Sequence, residues 1–469
     1  MQQSTLQENK MGVMPMNKLV LNMALPIMLS MLVQALYNIV DSVFVAQINE
    51  QSLTAVSLAF AAQNLMIGIA TGTGVGVNAL LSRALGEKNN ARANRVAEHG
   101  LLLALVGYVV ALAFAVFGVR AYFSAQTDVE YIIESGVEYL TVCCGFSFGL
   151  FGQIMFERLM QATGKTVYTM ITQGAGAIAN IILDPIFIFV FDLGVLGAAI
   201  ATVAGQIIGL ILGIIIHQRK NTEIHLDLRG FRVDMKLVGQ IYAIGIPSIL
   251  MVAIGSVMTF LMNKILILYT LGKETTATVF GVYFKLNSFI FMPVFGLNNA
   301  VVPIVAYNYG ARKRGRMLQA VKLAMLYATA FMLLGMTAFL AVPDLLLKIF
   351  KASETMLAIG VPALRIISLS FLFAGVAIAL SSVFQAMGHG VYAMLLSFIR
   401  QLVVLVPSAY LLARWGRQVG NDDLVWLSYP IAEFVSIVVA LLLFRSLYRN
   451  VIAQLPLNGE ESCAEGQTA

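Results

Sequence analysis

Long apolar segments recur along the entire chain, and they restrict its fold more than any other feature of the sequence. A helix needs about 20 consecutive apolar residues to cross the hydrocarbon core of a bilayer. Segments of about that length or longer occur at residues 19–46, 54–80, 97–118, 133–157, 167–191, 195–217, 237–270, 276–306, 317–342, 357–384, 391–413 and 424–446. They are apolar on all sides, whereas the strands of a membrane barrel alternate apolar and polar residues. The sequence therefore predicts an all-α polytopic membrane protein with twelve transmembrane helices.

The composition excludes a soluble core. Hydrophobic residues make up 59% of the 469 residues and charged residues only 12%, and the mean hydropathy is +0.84. An average soluble domain has about 25% charged residues. The segment 19–46 is too long for the apolar region of a signal peptide, so we expect it to be retained as the first span. The net charge of +6 does not indicate a nucleic-acid partner, because the basic residues lie in short connections between spans.

Residues with catalytic or metal-binding potential form no recognisable arrangement. Cys143 and Cys144 are adjacent within a span and Cys463 lies in the polar tail, so no disulfide framework is predicted. The four histidines show no metal-ligand spacing, and a GxxxxGK[ST] run is absent, which gives no sign of ATP hydrolysis. We therefore expect neither an enzyme nor a bound cofactor.

Lysine and arginine residues predict the orientation. With the N-terminus inside, 20 of the 30 basic residues fall in inner connections or at inner span ends: Lys10, Lys18, Arg83, Lys88, Arg92, Arg95, Arg158, Lys165, Arg219, Lys220, Arg229, Arg232, Lys236, Arg312, Lys313, Arg314, Arg316, Lys322, Arg445 and Arg449. The outer connections hold Arg120, Lys273, Lys348, Lys351, Arg414 and Arg417. Because basic residues concentrate on the cytoplasmic side, we expect a multi-pass protein of the inner or plasma membrane with both termini in the cytoplasm.

The two halves of the chain carry the same landmarks. Gln161-Ala162-Thr163-Gly164 recurs 224 residues later as Gln385-Ala386-Met387-Gly388, and at the same offset Gly86 matches Gly310, each before a basic loop. Six spans per half give both halves the same orientation, so a pseudo-two-fold axis runs along the membrane normal. We predict two six-helix lobes around a central cleft, divided as follows: N-terminal segment 1–17, N-lobe 18–217, cytoplasmic linker 218–236, C-lobe 237–448 and polar cytoplasmic tail 449–469.

Two acids interrupt apolar spans of the N-lobe. Asp184 follows Asn180-Ile-Ile-Leu in the fifth span, and Asp41 lies near the end of the first. A carboxylate at bilayer depth costs roughly 2.5–3.5 kcal/mol even on lenient insertion scales, so such groups usually face an aqueous cavity and have a function there. Tyr37 and Asn180 each precede an acid by one helical turn on the same face, and Thr202 lies at a similar depth in the sixth span.

Together these five side chains predict a pocket in the outer half of the N-lobe that contains no basic residue. Desolvation and mutual repulsion favour a shared proton on two neighbouring carboxyl groups, and oxygen ligands also suit hard cations. We therefore expect this pocket to bind H+ or Na+, with Asp41, Asp184 and Asn180 as the ligands of a sodium ion.

A structural role is the alternative for each of these residues. The two acids can cap a kink or bond a neighbouring helix, and the other three side chains commonly pack between membrane helices. Two prolines in the same spans, Pro26 and Pro185, predict positions at which the helices bend.

Charged side chains also occur within the predicted spans of the C-lobe. Arg400 and Glu433 fall near the middle of the eleventh and twelfth spans, and Lys285 and Arg365 lie two to three turns into theirs. Buried charges usually find partners, so we expect Glu433 to pair with Arg400 within a charge network of the second lobe. In the N-lobe, Glu157 lies near a span end and is expected to reach water.

Four motifs carry a resemblance to a known family: Leu36-Tyr37-Asn38-Ile39-Val40-Asp41, Asn180 to Asp184-Pro185, Gly194-Val195-Leu196-Gly197-Ala198-Ala199, and Pro303 to Tyr307-Asn308-Tyr309-Gly310. From about residue 17 to 450 the chain resembles a multidrug and toxic compound extrusion (MATE) transporter, of the prokaryotic branch with an aspartate in both the first and the fifth span. The resemblance implies a V-shaped pair of lobes. It also implies that Asp41 and Asp184 are the coupling acids, with Tyr37, Asn180 and Thr202 around them.

The predicted function is secondary active multidrug efflux by alternating access, with amphipathic, mostly cationic drugs exported in exchange for H+ or Na+. The expected partners are these small molecules, the coupling ion and the lipid bilayer, and a single chain suffices for the pathway. A related flippase or exporter for a lipid-linked or anionic metabolite is the alternative, which the cationic residues Lys285, Arg365 and Arg400 leave open. A channel should show a pore motif and a sensor a sizeable soluble domain, and neither is evident in the sequence.

Overall fold

The computed structural model describes residues 9–456 apart from 228, 230 and 351, and it leaves undescribed the side chains of residues 42, 46, 50, 273 and 274. The first half forms α1 (Lys10–Val13), α2 (Met16–Ala46), α3 (Glu50–Gly86), α4 (Asn90–Phe117), α5 (Val119–Ser124), α6 (Glu130–Gly145), α7 (Phe148–Ala162), α8 (Thr166–Pro185) and α9 (Gly194–Lys220). One π-helical turn, Ile186–Val190, continues α8. Residues 1–8 of the predicted N-terminal segment, residues 457–469 of the predicted tail and Lys351 lie outside the described residues.

The second half repeats this order of helices. It forms α10 (Met235–Tyr269), α11 (Lys273–Gly310), α12 (Arg314–Ala341), α13 (Pro343–Lys348), α14 (Glu354–Ser368), α15 (Phe371–Ala386), α16 (Gly390–Phe398), α17 (Val406–Val419) and α18 (Ser428–Asn450). A π-helical stretch, Ile399–Leu405, joins α16 to α17. Apolar residues form helices here because a bilayer offers no partner for backbone N–H and C=O groups, which a helix satisfies internally.

Within the described residues, twelve spans result when two bent helix pairs are counted as one span each, alongside ten continuous apolar helices. The sequence predicts the spans 133–157 and 357–384 as single helices, but α6 and α7 meet at a bend of 44° and α14 and α15 at a bend of 51°. At each break a serine hydroxyl donates to a carbonyl of the preceding turn, Ser147 Oγ to Cys144 O at 2.7 Å and Ser370 Oγ to Ile367 O at 2.6 Å. Such bonds compete with the backbone ladder and favour a kink.

The internal repeat extends to backbone geometry. Helices α4 and α12 begin 224 residues apart, and so do α6 and α14. Lys88 and Arg312, at the same offset, both adopt the left-handed conformation with φ of 55°, and Gly164 and Gly388 do so with φ of 78° and 84°. These residues end helices at the turns that the repeated sequence landmarks predict.

Helices α2–α9 and α10–α18 form the two lobes, which meet where α3 packs on α10 and α2 packs on α11. Glycines permit the close approach: a Cβ on Gly76 would lie 2.3 Å from Ile241 O of α10, and one on Gly86 would lie 2.0 Å from Tyr307 O of α11. Gly310 makes the reciprocal contact, since its Cβ would lie 2.2 Å from Arg83 O. The pseudo-two-fold axis therefore passes near the contact of Gly86 with Gly310.

The first and last described residues lie at one end of the molecule, which we call the terminal side. There Arg314 Nη1 lies 3.4 Å from Ala453 O, and α1 bridges the lobes: Asn9 Nδ2 donates to Thr163 O at 3.2 Å, and Asn308 Nδ2 donates to Met11 O at 3.2 Å. The close contacts between the lobes lie from the middle of the helices to this side. The central cleft therefore opens toward the opposite side.

Candidate functional site

The packing of α2 against α8 brings the two predicted acids together. Asp184 is fully buried in the last turn of α8, and Asp41 is half-buried on α2. Their carboxyl groups are close enough to share a proton. Asp41 Oδ1 is buried and has no hydrogen-bond partner, so this pair retains a free acceptor inside the N-lobe. The sequence places both acids in the outer halves of their spans, and the structure places both on the side opposite to the terminal side.

The three predicted neighbours surround this acid pair. Asn180 is buried one turn before Asp184. In the amide orientation that satisfies both of its ends, its Nδ2 donates to Asp184 Oδ2 at 3.1 Å and its Oδ1 accepts from the backbone N–H of Thr202 in α9 at 3.1 Å. Tyr37 of α2 lies near enough to both carboxyl groups to interact with them electrostatically. The site thus combines two carboxyl groups, an amide, a phenol and a hydroxyl, an oxygen-rich donor set that can take up a proton or a hard monovalent cation such as Na+.

The two prolines lie in the helices that carry the acids. Pro26 is inside α2, which continues through it, and the Ser30 hydroxyl donates to the Pro26 carbonyl at 2.9 Å. Pro185 directly follows Asp184 and marks the change from α-helix to the π-helical turn Ile186–Val190. A proline or a π-helical turn leaves a backbone carbonyl group without its usual helical hydrogen bond. That these helices bend there during function stays a prediction.

A cavity of about 130 Å³ extends from this site toward the terminal side. Tyr37, Asn180 and Thr202 line it at one end, and Gln153, Glu157, Arg158 and Gln173 line it at the other. The expectation that Glu157 reaches water at a span end is wrong, since this residue is only 3% exposed.

Glu157 belongs to a hydrogen-bonded cluster that the sequence interpretation missed. Its Oε1 accepts from Gln153 Nε2 at 2.9 Å, and its Oε2 accepts from Gln173 Nε2 at 2.8 Å. Thr172 Oγ1 lies 3.4 Å from Oε1 and 2.9 Å from Thr169 O, so its hydroxyl is shared between the two acceptors. A signal for it is present in α8: Thr166, Thr169, Gln173, Asn180 and Asp184 follow one another at helical spacing. This polar stripe runs the length of α8 on its lobe-facing side.

Arg158 is also buried rather than part of a basic loop. It is 7% exposed, and its Nη1 donates to Gln161 Oε1 at 2.9 Å and to Asn299 Oδ1 of α11 at 3.0 Å. The second of these bonds joins the N-lobe to the C-lobe. Arg158 is therefore a contact between the lobes, although the sequence groups it with the inner basic residues.

In the C-lobe the predicted pair forms, and the wider network does not. Arg400 Nη1 lies 3.0 Å from Glu433 Oε1. Lys285 and Arg365 are exposed, and neither takes part in an ion pair within the described part of the chain. Arg400 also lines a C-lobe cavity of about 160 Å³ with Asn298 and Gln385. Across the described residues, no cluster of three or more His, Cys, Asp or Glu side chains could hold a metal ion.

Comparison with known proteins decides the family. The sequence profile of the MatE family matches residues 26–186 and 247–411, one block in each lobe and more than half of the chain in all. The chain belongs to the MatE family. Multidrug export protein MepA of Staphylococcus aureus (strain MRSA252) is 26% identical to this MATE chain over 434 residues, which cover 92% of the chain and 93% of that protein. The protein of the same name from Staphylococcus haemolyticus (strain JCSC1435) is 27% identical over 436 residues, with the same coverage.

Solved structures agree with this assignment over nearly the whole chain. A crystal structure of MATE in complex with MaL6 has a TM-score of 0.89 at 25% identity and covers 96% of this chain and 99% of that one. An outward-facing multidrug resistance MATE family transporter of the MOP superfamily has the same TM-score and identity and covers 96% and 98%. A MOP superfamily transporter from Pyrococcus furiosus Vc1 is described as having a binding pocket of reverse polarity. It has a TM-score of 0.89 at 25% identity and covers 96% of this chain and 98% of that one.

These similarities establish the MATE chain as a transporter rather than an enzyme. The predicted fold of twelve spans in two lobes is confirmed by the structural match. The family assignment also accounts for the repeat, because the profile matches one block in each lobe.

The ion pair of the C-lobe yields a stability prediction for this MATE transporter. Glu433→Gln or Arg400→Gln alone should lower the free energy of unfolding by up to about 3 kcal/mol, because each leaves one charge of the pair unpaired in an apolar surrounding. The double substitution should be milder than either single one. Thermal unfolding of the four purified proteins in detergent measures this, and strictly additive effects would reject the pair as an energetic unit.

Proposed function

We propose that this transporter is a secondary active multidrug efflux antiporter, and that H+ or Na+ bound at Asp41 and Asp184 drives the export of amphipathic, mostly cationic drugs. The observation that carries the proposal is the adjacency of these two carboxyl groups inside the N-lobe. No basic side chain lies among the five predicted site residues to neutralise them. Similarity to two proteins described as multidrug export proteins supports the choice of substrate class.

The proposed cycle follows from the position of the acids. With the cleft open on the side opposite to the terminal side, the acid pair takes up the ion, and the drug leaves the cleft. Ion binding replaces the repulsion of two neighbouring charges by attraction to one cation, which tightens the contact of α2, α8 and α9. Closure on that side then exposes the site to the terminal side, where the ion is released and new drug enters.

The membrane potential supplies part of the driving force. An inside-negative potential favours the inward movement of one positive charge by about 2.3 kcal/mol per 100 mV, before any concentration gradient is counted. A factor of 10 in an equilibrium constant corresponds to about 1.4 kcal/mol. One coupled cation per neutral drug is therefore enough to support a substantial concentration ratio. One-for-one exchange with a monocationic drug moves no net charge, so such export draws on the concentration gradient of the ion, and the potential contributes only when more than one ion enters per drug.

The proposed orientation places the terminal side in the cytoplasm and the chain in the cell membrane. The support is the concentration of 20 of the 30 basic residues in the connections and span ends of that side. One chain contains both lobes and the cleft, so we propose that the monomer is the functional unit. The chain has 28 Phe and 23 Met residues, and those that face the cleft would provide an adaptable apolar surface for drugs of varied shape.

Export of a lipid-linked or anionic metabolite is the second candidate function. Its support is the presence of two exposed C-lobe cations without an ion pair, Lys285 and Arg365, together with the structural similarity to a transporter described as having a pocket of reverse polarity. An anionic substrate would need these cations in the cleft. Lys285→Ala with Arg365→Ala should then abolish transport of an anionic substrate and leave ethidium efflux intact.

Asp184→Asn should abolish ethidium efflux from proteoliposomes while leaving expression and membrane insertion intact. The amide keeps the shape of the side chain but neither binds a proton nor attracts Na+. The matched control is Asp192→Asn, eight residues later in an exposed loop and at a φ of 54° that asparagine tolerates. Efflux by Asp184→Asn at the rate of the control would remove the acid pair from the mechanism.

Asp41→Asn should flatten the dependence of efflux on the coupling ion. Because the variant leaves a single carboxyl group, the repulsion that favours the shared cation is lost, and half-maximal activation should move to higher external H+ or Na+ concentration. Ethidium transport is measured with a pH gradient alone and with a Na+ gradient alone, which also identifies the ion. An activation profile identical to that of the wild type under both gradients contradicts coupling at Asp41.

A further inference from the structure

A second carboxyl site lies at the terminal-side end of the N-lobe cavity. The carboxyl group of Glu157 is almost completely buried, and each of its three hydrogen-bond donors, Gln153, Thr172 and Gln173, is electrically neutral. A buried carboxylate without a cation partner is costly in an apolar surrounding. The cluster is therefore complete only when a proton or another cation accompanies the carboxyl group.

Arg158 does not supply that cation. Among the charged groups of the described chain, it is the one that acts electrostatically on Glu157, but no ion pair links the two within that part of the chain. The guanidinium group instead donates to Gln161 and to Asn299 of the other lobe. His217 of α9, a helix packed on α7, directs its ring against Phe156.

The cluster also contains an unused acceptor. Gln173 Oε1 is buried and has no hydrogen-bond partner, while Gln173 Nε2 donates to Glu157. With this amide oxygen unpaired and the carboxylate bonded only by neutral donors, the cluster has an excess of acceptor capacity. A proton on Glu157, or a monovalent cation held by these oxygens, balances that excess.

The same cavity extends from this cluster to Tyr37 and Asn180, which lie beside the acid pair. Gln173 and Asn180 lie on one face of α8, seven residues or roughly 10 Å apart, and both line the cavity. Between them α8 meets α9 at Gly176, where an added Cβ would lie 2.8 Å from Gly205 O. A volume of about 130 Å³ has room for several water molecules, which polar walls of this kind hold in place.

We infer that Glu157, with Gln153, Thr172 and Gln173, is a second cation site, through which the coupling ion passes from Asp41 and Asp184 to the terminal side. This inference rests on the proposed function. The ion leaves the acid pair, crosses the water-filled cavity and binds the Glu157 carboxylate, which then releases it where α7 ends. If the ion is a proton, one O–H bond breaks at the acid pair and one forms at Glu157, with no other change in bonding.

The test is Glu157→Gln in the full-length transporter, reconstituted in proteoliposomes beside Glu138→Gln, a control at an exposed glutamate of the same lobe. Glu157→Gln should slow gradient-driven ethidium efflux by about tenfold or more and leave ethidium binding unchanged. If efflux slows only when a pH gradient drives it, the site binds H+. If efflux slows only when a Na+ gradient drives it, the site binds Na+. Glu157→Asp, which keeps a carboxyl group, should recover part of the rate.

Asp184→Asn, measured in parallel, distinguishes a failure of the proposed function from a failure of the second cation site. Efflux by Asp184→Asn at the wild-type rate overturns the proposed function, whereas its loss together with wild-type efflux by Glu157→Gln overturns the second site alone. If Glu157→Gln does not fold, the wild-type protein provides the test through modification by dicyclohexylcarbodiimide, which reacts with protonated carboxyl groups in apolar surroundings. Modification of Glu157 that declines as pH or Na+ rises supports the inference, and modification of Asp184 without any of Glu157 overturns it.

Discussion

The contact of α2 with α8 places two carboxyl groups side by side in a region of the protein where water is scarce. Two such groups cannot both carry a full charge there without a large cost, since desolvation and mutual repulsion act in the same direction. The rest of the N-lobe is organised around this constraint. Asn180 links Asp184 to Thr202, Asp41 Oδ1 stays without a partner, and the cavity begins at Tyr37 and Asn180 beside the pair.

In the proposed mechanism, the ion site of the N-lobe is linked to the contact between the two lobes. Glycines allow α3 to touch α10 and α11 on the terminal side, and the bond of Arg158 to Asn299 crosses the same interface. Because Arg158 follows Glu157 directly, the ion pathway and the contact between lobes share one turn of α7. In the proposed mechanism, a change in the charge of the N-lobe cavity therefore alters the contact between the lobes. This contact must separate when the transporter opens to the other side.

Much of this arrangement follows from the sequence, for identifiable reasons. An aspartate in an apolar run, as at Asp184, tolerates few environments. Its place beside Asn180 was predictable from helical spacing, and its depth close to that of Asp41 from counting residues along the two spans. The burial of Glu157 was not predictable, because a position near a span end does not show which way a side chain faces, and its contacts come from α8 as well as from its own helix. The pairing of Arg400 with Glu433 was predictable from charge alone, whereas the exposure of Lys285 and Arg365 depends on the facing of α11 and α14.

The central claim is that the carboxyl groups of Asp41 and Asp184 gain and lose a cation during transport. Infrared difference spectroscopy of the purified transporter, recorded as ethidium is added, observes such a change directly through the stretching bands of protonated and ionised carboxyl groups. The account predicts a change in these bands in the wild type that is absent in Asp184→Asn. Spectra without any carboxyl change in the wild type, or with the same change in both proteins, would contradict it.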